Sequence, residues 1–120
     1  MPTIYLSRLE GSTVVCGCAC PCEDVTTAYV VSIDADTYNL SLSGDCTWYL
    51  DTGPCGPPAP GDTIEMILFG NTCGWFLTIQ YVGIWSMTGV GPTNQTTPVG
   101  SYTFGYEVNC DLSASSVSVA

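Results

Sequence analysis

The sequence predicts an all-β protein: a small, disulfide-stapled antiparallel β-sandwich, or a partly closed barrel, with two related hairpins. Thr, Val, Ile, Tyr and Ser dominate short runs in which apolar and polar residues alternate, and 13 Gly and 8 Pro separate these runs. No stretch repeats its apolar residues with the helical period of 3.6. Eight cysteines in 120 residues indicate a disulfide framework.

Alternation defines the individual strands. Tyr29, Val31 and Ile33 share one face, as in a strand with one buried side. The run 64–69 is apolar on both faces except at Glu65, which predicts a central strand. Loops rich in Pro and Gly are expected at 52–61 and 89–100. The predicted strands are 3–9, 25–34, 37–43, 46–51, 62–69, 73–82, 84–88, 100–108 and 114–119, and Tyr102, Phe104, Tyr106 and Val108 share a face in the eighth.

Residues 38–50 and 64–77 form an internal repeat. Each copy is a strand, a Gly with Asp or Asn, and then Cys, Trp and Leu at alternate positions. The Gly-Asp and Gly-Asn pairs are suited to hairpin turns. Two related hairpins that face a common core predict a sandwich or a small barrel. The predicted core residues of the repeat are Trp48, Leu50, Trp75 and Leu77.

The length of the chain indicates one domain. Residues 1–24 are expected to form an N-terminal strand and a Cys-rich segment attached to the body. Residues 25–120 are expected to form a single β-sandwich domain.

The cysteines fall into a cluster and a dispersed set. The cluster alternates within CGCACPC, so its sulfurs project to one face of an extended segment. Neighbours at i and i+2 are poorly placed to bridge each other. We therefore expect bridges from the cluster to the dispersed set, with Cys46–Cys55 as a local alternative. Thiolate metal binding is less favoured, because structural zinc sites use other spacings. The cluster is Cys16, Cys18, Cys20 and Cys22, and the dispersed set is Cys46, Cys55, Cys73 and Cys110.

The charge balance excludes several functions. Eleven acidic residues accompany one cation, Arg8, with no Lys and no His, so the net charge is −10. Nucleic acids and anionic membranes require Lys and Arg, so neither is an expected partner. Triads that depend on His are excluded. A paired-carboxylate glycosidase would find little room for its cleft in this chain, so we expect no enzyme and no cofactor.

Four residues are candidates for binding. Trp85 lies outside the repeat and is the best candidate for an exposed aromatic contact, together with the 89–100 loop. Arg8 is the one side chain able to offer a cation to a neighbouring subunit. Asp34 and Asp36 form Asp-Ala-Asp at a predicted turn, which is a candidate Ca²⁺ site, although solvated turn residues are the simpler interpretation.

The cysteines and the start of the chain point to different compartments. Dense cysteines are typical of oxidising environments, whereas MPTIYLSRLEGSTVV has no apolar core of a signal peptide. No apolar run is long enough for a transmembrane helix. A virion protein, made in the cytosol and oxidised after lysis, reconciles these features. Leaderless export to the cell surface or to an extracellular filament is the alternative.

Three groups of residues make this chain similar to other known proteins. They are the cluster CGCACPC; the element Cys46, Thr47, Trp48, Cys55 and Gly56; and the ending Gly100, Tyr102, Cys110, Val117 and Val119. In these places the chain resembles short Cys/Gly/Trp-rich β proteins of planctomycete-type bacteria and bacterial viruses. The resemblance implies an extracellular or virion β domain and carries over no catalytic residue.

Together these features predict a structural or decoration protein of a bacteriophage virion, either a cement or a tail-associated subunit. Its expected partners are protein subunits of a capsid or tail, with homo-oligomeric contacts as well. A glycan-binding or host-adhesion module, and a subunit of an extracellular filament, are the alternatives.

Overall fold

The computed structural model describes residues 26–44, 46–55, 60–71 and 74–120. These residues form eight strands and no helix, which confirms the all-β prediction. The strands are β1 (Ala28–Ile33), β2 (Asp36–Gly44), β3 (Thr47–Leu50), β4 (Ile64–Asn71), β5 (Gly74–Tyr81), β6 (Trp85–Thr93), β7 (Gly100–Tyr102) and β8 (Val117–Val119).

All eight strands belong to one antiparallel sheet in the order β6-β5-β4-β3-β2-β1-β8-β7. Its two edges meet where Val90 and Thr103 exchange a pair of backbone hydrogen bonds of 2.9 Å. The sheet is therefore nearly closed into a barrel, and of the two architectures that the sequence allows the barrel is the one observed.

The two copies of the repeat form neighbouring hairpins. The first copy forms β2 and β3, and the second forms β4 and β5. Strands β3 and β4 pair directly, with Trp48 opposite Leu68. The hairpins thus lie side by side in the barrel wall, and curvature of the sheet brings their inward side chains together.

The inward faces of the strands form one apolar core. Trp48 and Trp75 are fully buried, with their ring centroids 6.0 Å apart, and Tyr29 meets Trp48 edge-on at 5.0 Å. Leu77 is also fully buried, whereas Leu50 is half-buried against the core. Within the described residues no buried residue is polar or charged. Burial of apolar surface is accordingly the main term that stabilises the barrel.

The barrel closes where two aromatic rings lie directly over two glycines. A Cβ atom on Gly89 would stand 2.5 Å from Cε1 of Phe104, and one on Gly91 would stand 2.2 Å from Cε2 of Tyr102. Both rings are buried, and the Tyr102 hydroxyl donates to the Pro98 carbonyl oxygen at 2.7 Å. Only residues without a side chain allow β6 to approach Tyr102 at the end of β7 and Phe104 just after it this closely.

Two element predictions were wrong. The expected loop 89–100 begins only after Thr93, because β6 continues through the glycines that receive the rings. The expected strand 100–108 ends at Tyr102 apart from the Thr103 bridge, and Tyr106 and Val108 are exposed. The predicted strand 3–9 and the division at residue 24 fall within the chain before residue 26, outside the described residues.

One described disulfide joins Cys55 to Cys110, with their Cα atoms 5.6 Å apart. Both belong to the dispersed set, so this bridge is not one of the expected links between the cluster and the dispersed set, and the Cys46–Cys55 alternative was wrong. The connection after β3 and the segment before β8 converge at one end of the barrel, which sequence spacing does not reveal. Cys46 is also disulfide-bonded. The remaining cysteines lie outside the described residues: Cys16, Cys18, Cys20, Cys22 and Cys73.

Candidate functional site

The strand directions give the barrel two ends of different chemistry. We call one the acidic end; it comprises residues 34–36 at the β1–β2 turn, residues 51–55 and 60–63 of the connection after β3, the β5–β6 turn at 82–84 and the segment 103–116. The opposite end carries residues 26–27, Cys46 between β2 and β3, the 94–99 loop and Ala120.

Every acidic residue of the described chain lies at the acidic end or, for Glu65, at the second position of β4, which starts there. The chain described includes neither Lys nor Arg, since Arg8 lies before residue 26. Among the described residues no cationic side chain offsets the negative potential of the acidic end. The seven acidic residues are Asp34, Asp36, Asp51, Asp62, Glu65, Glu107 and Asp111.

Asp34 has a structural role at this end. It has a positive φ of 53° in the β1–β2 turn, and its backbone amide donates to the Ser116 carbonyl at 2.9 Å. Its Oδ1 accepts a hydrogen bond from the Ser116 amide at 3.0 Å, so Asp34 fixes the residue that precedes β8.

Asp36 is exposed, and burial together with the charge of Asp36 raises the pKa of Tyr38. Among described residues no three Cys, Asp or Glu side chains converge on a metal site, so Ca²⁺ at Asp34 and Asp36 stays a prediction.

Glu65 links three strands on the outer face. Its Oε2 accepts from the Tyr49 hydroxyl on β3 at 2.7 Å, and its Oε1 accepts from the Gln80 amide on β5 at 2.8 Å. These hydrogen bonds, Tyr49 first and then Gln80, lower the pKa of Glu65. The same contact with the carboxylate raises the pKa of Tyr49 to about 12.

A second tyrosine–carboxylate pair lies nearer the rim. The Tyr81 hydroxyl donates to Oδ2 of Asp62, which raises the pKa of Tyr81. A shallow pocket of about 190 Å³ lies beside this pair. Its lining comprises Asp51, Thr52, Gly53, Asp62, Thr63 and Ile64.

Trp85 is half-buried, not freely exposed. Its ring packs against the core and meets Tyr81 edge-on at a centroid distance of 6.5 Å. One side of Trp85 lines an open pocket of about 270 Å³ together with Gln80, Gly83, Ile84 and Ser86. Of the three tryptophans, only Trp85 retains surface for a ligand, since Trp48 and Trp75 are fully buried.

The 94–99 loop lies at the opposite end and is fixed by hydrogen bonds. The Trp75 indole N–H donates to the Gln95 carbonyl at 2.9 Å, and the Gln95 side-chain amide donates to the carbonyls of Thr97 and Val99 at 2.6 and 2.8 Å. Trp48 likewise donates to the Thr26 carbonyl at 2.8 Å. The two tryptophans of the repeat therefore anchor chain segments at this end, and the loop and Trp85 do not form one site.

The acidic end also bears the most exposed large apolar side chains, which sequence reasoning missed. Val82 and Ile84 are 55% and 66% exposed in the β5–β6 turn, and Tyr106 and Val108 are 71% and 77% exposed before Cys110. Val82 and Ile84 end and begin the predicted strands 73–82 and 84–88, and the available signal was the single Gly83 between these strands, which marks a tight turn. For Tyr106 and Val108, alternation was interpreted as a strand, which concealed their exposure.

No family model, curated protein or solved structure matches the chain. The fold and the acidic end therefore supply the functional argument. The described residues include no helix of the length and apolarity that crossing a membrane would require.

Proposed function

We propose that the chain is a non-enzymatic structural protein of a bacteriophage virion, a cement or tail-associated decoration subunit that binds protein subunits of the capsid or tail. The observation that carries this proposal is the exposure of Val82, Ile84, Tyr106 and Val108 at one end of a well-packed barrel. Large apolar side chains grouped at one end of a small protein are typical of a protein contact surface.

A decoration subunit must hold its contact surface in a fixed shape. The continuous sheet, the apolar core and the Cys55–Cys110 bridge supply that rigidity here. The disulfide is compatible with the extracellular location of a virion. Contacts between copies are weaker candidates than contacts with a shell, because two chains of net charge −10 repel each other.

Mass spectrometry of purified particles tests this proposal. Extracellular particles from the source culture are separated on a density gradient, and peptides of this chain are quantified against the major shell protein. We expect a fixed ratio of the two proteins across the particle peak. A chain that is absent from the particles, and monomeric when purified, would contradict the proposal.

The pocket beside Trp85 favours a second candidate function, a glycan-binding or host-adhesion module. An aromatic face beside Gln80 and Ser86 combines a stacking surface with polar groups, which is the chemistry that sugars require. We expect saturable binding on a glycan array if this function is correct. Trp85→Ala should abolish the binding, whereas Tyr106→Ala, which removes an exposed aromatic ring outside the pocket, should not.

A further inference from the structure

We infer that the acidic end docks onto a partner protein whose surface joins an apolar depression to Lys and Arg side chains. This inference rests on the proposed function and names the surface and the chemistry of the partner. Two apolar projections and the distribution of charge carry it.

The first projection is the β5–β6 turn. Gly83 has a φ of +81°, and the Ile84 amide donates to the Tyr81 carbonyl at 2.8 Å, which closes the turn. Tyr81 and Trp85 flank the turn and anchor it in the core, while Val82 and Ile84 face solvent. The projection is thus preorganised, which reduces the entropy lost when it enters a depression.

The second projection is the segment that carries Tyr106 and Val108. Cys110 ties this segment to the connection at 51–63, and its amide donates to the Glu107 carbonyl at 3.1 Å. The Glu107 carboxylate accepts the backbone and side-chain N–H groups of Asn109 at 2.8 and 2.9 Å. The exposed side chains therefore project from a segment whose C-terminal part is held by the disulfide and by local hydrogen bonds.

The negative charges around these two projections determine which kind of partner surface can bind. Asp51, Asp62, Glu107 and Asp111 lie at the same end, and the described chain offers no cation to neutralise them. A second copy brings further acids and a single arginine, and nucleic acid or an anionic lipid surface would be repelled. A protein surface with Lys and Arg around an apolar depression complements both features.

Peptides of defined composition test this chemistry on the full chain. The probes are an alternating Lys/Leu peptide, a Glu/Leu peptide and a Lys/Ser peptide of equal length, titrated while amide NMR signals are recorded. We expect the Lys/Leu peptide to bind and to shift the signals of 82–86 and 106–111. Affinity should fall as salt rises from about 0.01 M to about 1 M, over which the Debye length shrinks from about 30 Å to about 3 Å. Equal binding of the Lys/Ser peptide would overturn the inference, because charge alone would then suffice.

Variants separate the apolar contribution from the ionic one. Val82→Ser/Ile84→Ser/Tyr106→Ser/Val108→Ser keeps every carboxylate, and we expect it to weaken Lys/Leu binding at least about tenfold, which is about 1.4 kcal/mol. Val99→Ser is the matched control, because Val99 is exposed at the opposite end. Unchanged far-ultraviolet circular dichroism verifies the fold of both variants. Wild-type affinity in the quadruple variant, or an equal loss in the control, would overturn the inference.

Photocrosslinking in the assembled particle separates this inference from the proposed function. A photoreactive residue replaces Ile84 in one variant and Val99 in another. We expect crosslinks to a shell protein from position 84 and none from position 99. The reverse result overturns the docking surface but leaves the virion assignment intact, whereas a chain absent from particles overturns the virion assignment and leaves the peptide titration to decide the surface.

Discussion

At the scale of single residues, closure of the barrel depends on two glycines, Gly89 and Gly91, because neither has a side chain. The rings of Phe104 and Tyr102 occupy the space in which Cβ atoms of Gly89 and Gly91 would lie. Neither glycine has a positive φ, so their role is to allow close approach, not to permit an unusual backbone. The ring–glycine contacts pack the last inward face of the sheet where its edges meet, as aromatic residues do over glycines in other sheets.

Adding one methyl group at either glycine should therefore destabilise the barrel. We expect Gly89→Ala or Gly91→Ala to lower the free energy of unfolding by about 1–3 kcal/mol, because the rings must shift in a packed core. Urea denaturation measures this change. Gly105→Ala is the matched control, since a Cβ there meets nothing within 4 Å and its φ is not positive. Equal stability of the Gly89 and Gly105 variants would show that the rings are free to move.

Sequence patterns predicted some of these residues and misassigned others. Alternation within the repeat identified Trp48 and Trp75 as core residues, and the structure places both in the core. Gly89 and Gly91 were interpreted as loop residues, because glycines usually interrupt strands. Their true role depends on rings that follow more than ten residues later, and a local pattern does not contain that contact.

At the scale of elements, Glu65 is the one charge in a strand predicted to be apolar on both faces. The structure shows its side chain on the outer face, accepting hydrogen bonds from Tyr49 and Gln80 on the two neighbouring strands. Its partners were not predictable from sequence, because they depend on the registers of β3 and β5 against β4. The strands themselves were predictable, since alternation is a local property.

This cross-strand contact should give stability a dependence on pH. The folded pKa of Glu65 lies below the ordinary 4.5, so its contribution is present above that value and is lost as pH falls through the folded pKa. We expect Glu65→Gln to reduce the loss of unfolding free energy in acid, measured by urea denaturation at several pH values. A wild type and variant with parallel acid profiles would contradict the contact.

The same pair predicts an effect in alkali. The pKa of Tyr49 is raised from 10.0 to about 12, so its contribution to stability is present below about 10 and is lost as pH rises towards about 12. Tyrosinate absorbance of the wild type minus that of Tyr49→Phe isolates this residue among seven tyrosines. Glu65→Gln should return the Tyr49 pKa towards 10. An unchanged Tyr49 pKa in that variant would show that the carboxylate does not cause the shift.

The segment after β7 shows where alternation misleads. Tyr102, Phe104, Tyr106 and Val108 alternate as in a strand, and the first two are buried as such a pattern predicts. Beyond the Thr103 bridge none of the eight described strands pairs with this segment, and the remaining two side chains are exposed. A pattern of residues predicts which side chains share a face, but a paired neighbour is needed to make that face a core.

At the scale of the whole molecule, stability comes from the core and from covalent links, since the described residues include no cation to form an ion pair. The Cys55–Cys110 bridge joins segments 55 positions apart in sequence, across the acidic end. Its location was not predictable from spacing, because many pairings of eight cysteines are possible and the convergence of two connections decides among them. The bridge fixes the base from which Tyr106 and Val108 project, so it links the stability of the barrel to the proposed docking surface.

Removal of this bridge should therefore affect both properties. We expect Cys55→Ala/Cys110→Ala to lower the free energy of unfolding by about 4 kcal/mol, because the open chain gains the entropy of a long loop. Cys55→Ala alone should cost nearly as much, since the link and not the buried Cys110 side chain supplies the effect. The affinity for the Lys/Leu peptide should fall as well, because the segment at 103–116 loses its anchor and pays more entropy on binding. If the double variant is less stable but keeps full peptide affinity, the docking contacts lie on the β5–β6 turn alone. If the double variant is as stable as the wild type, the core suffices without the bridge.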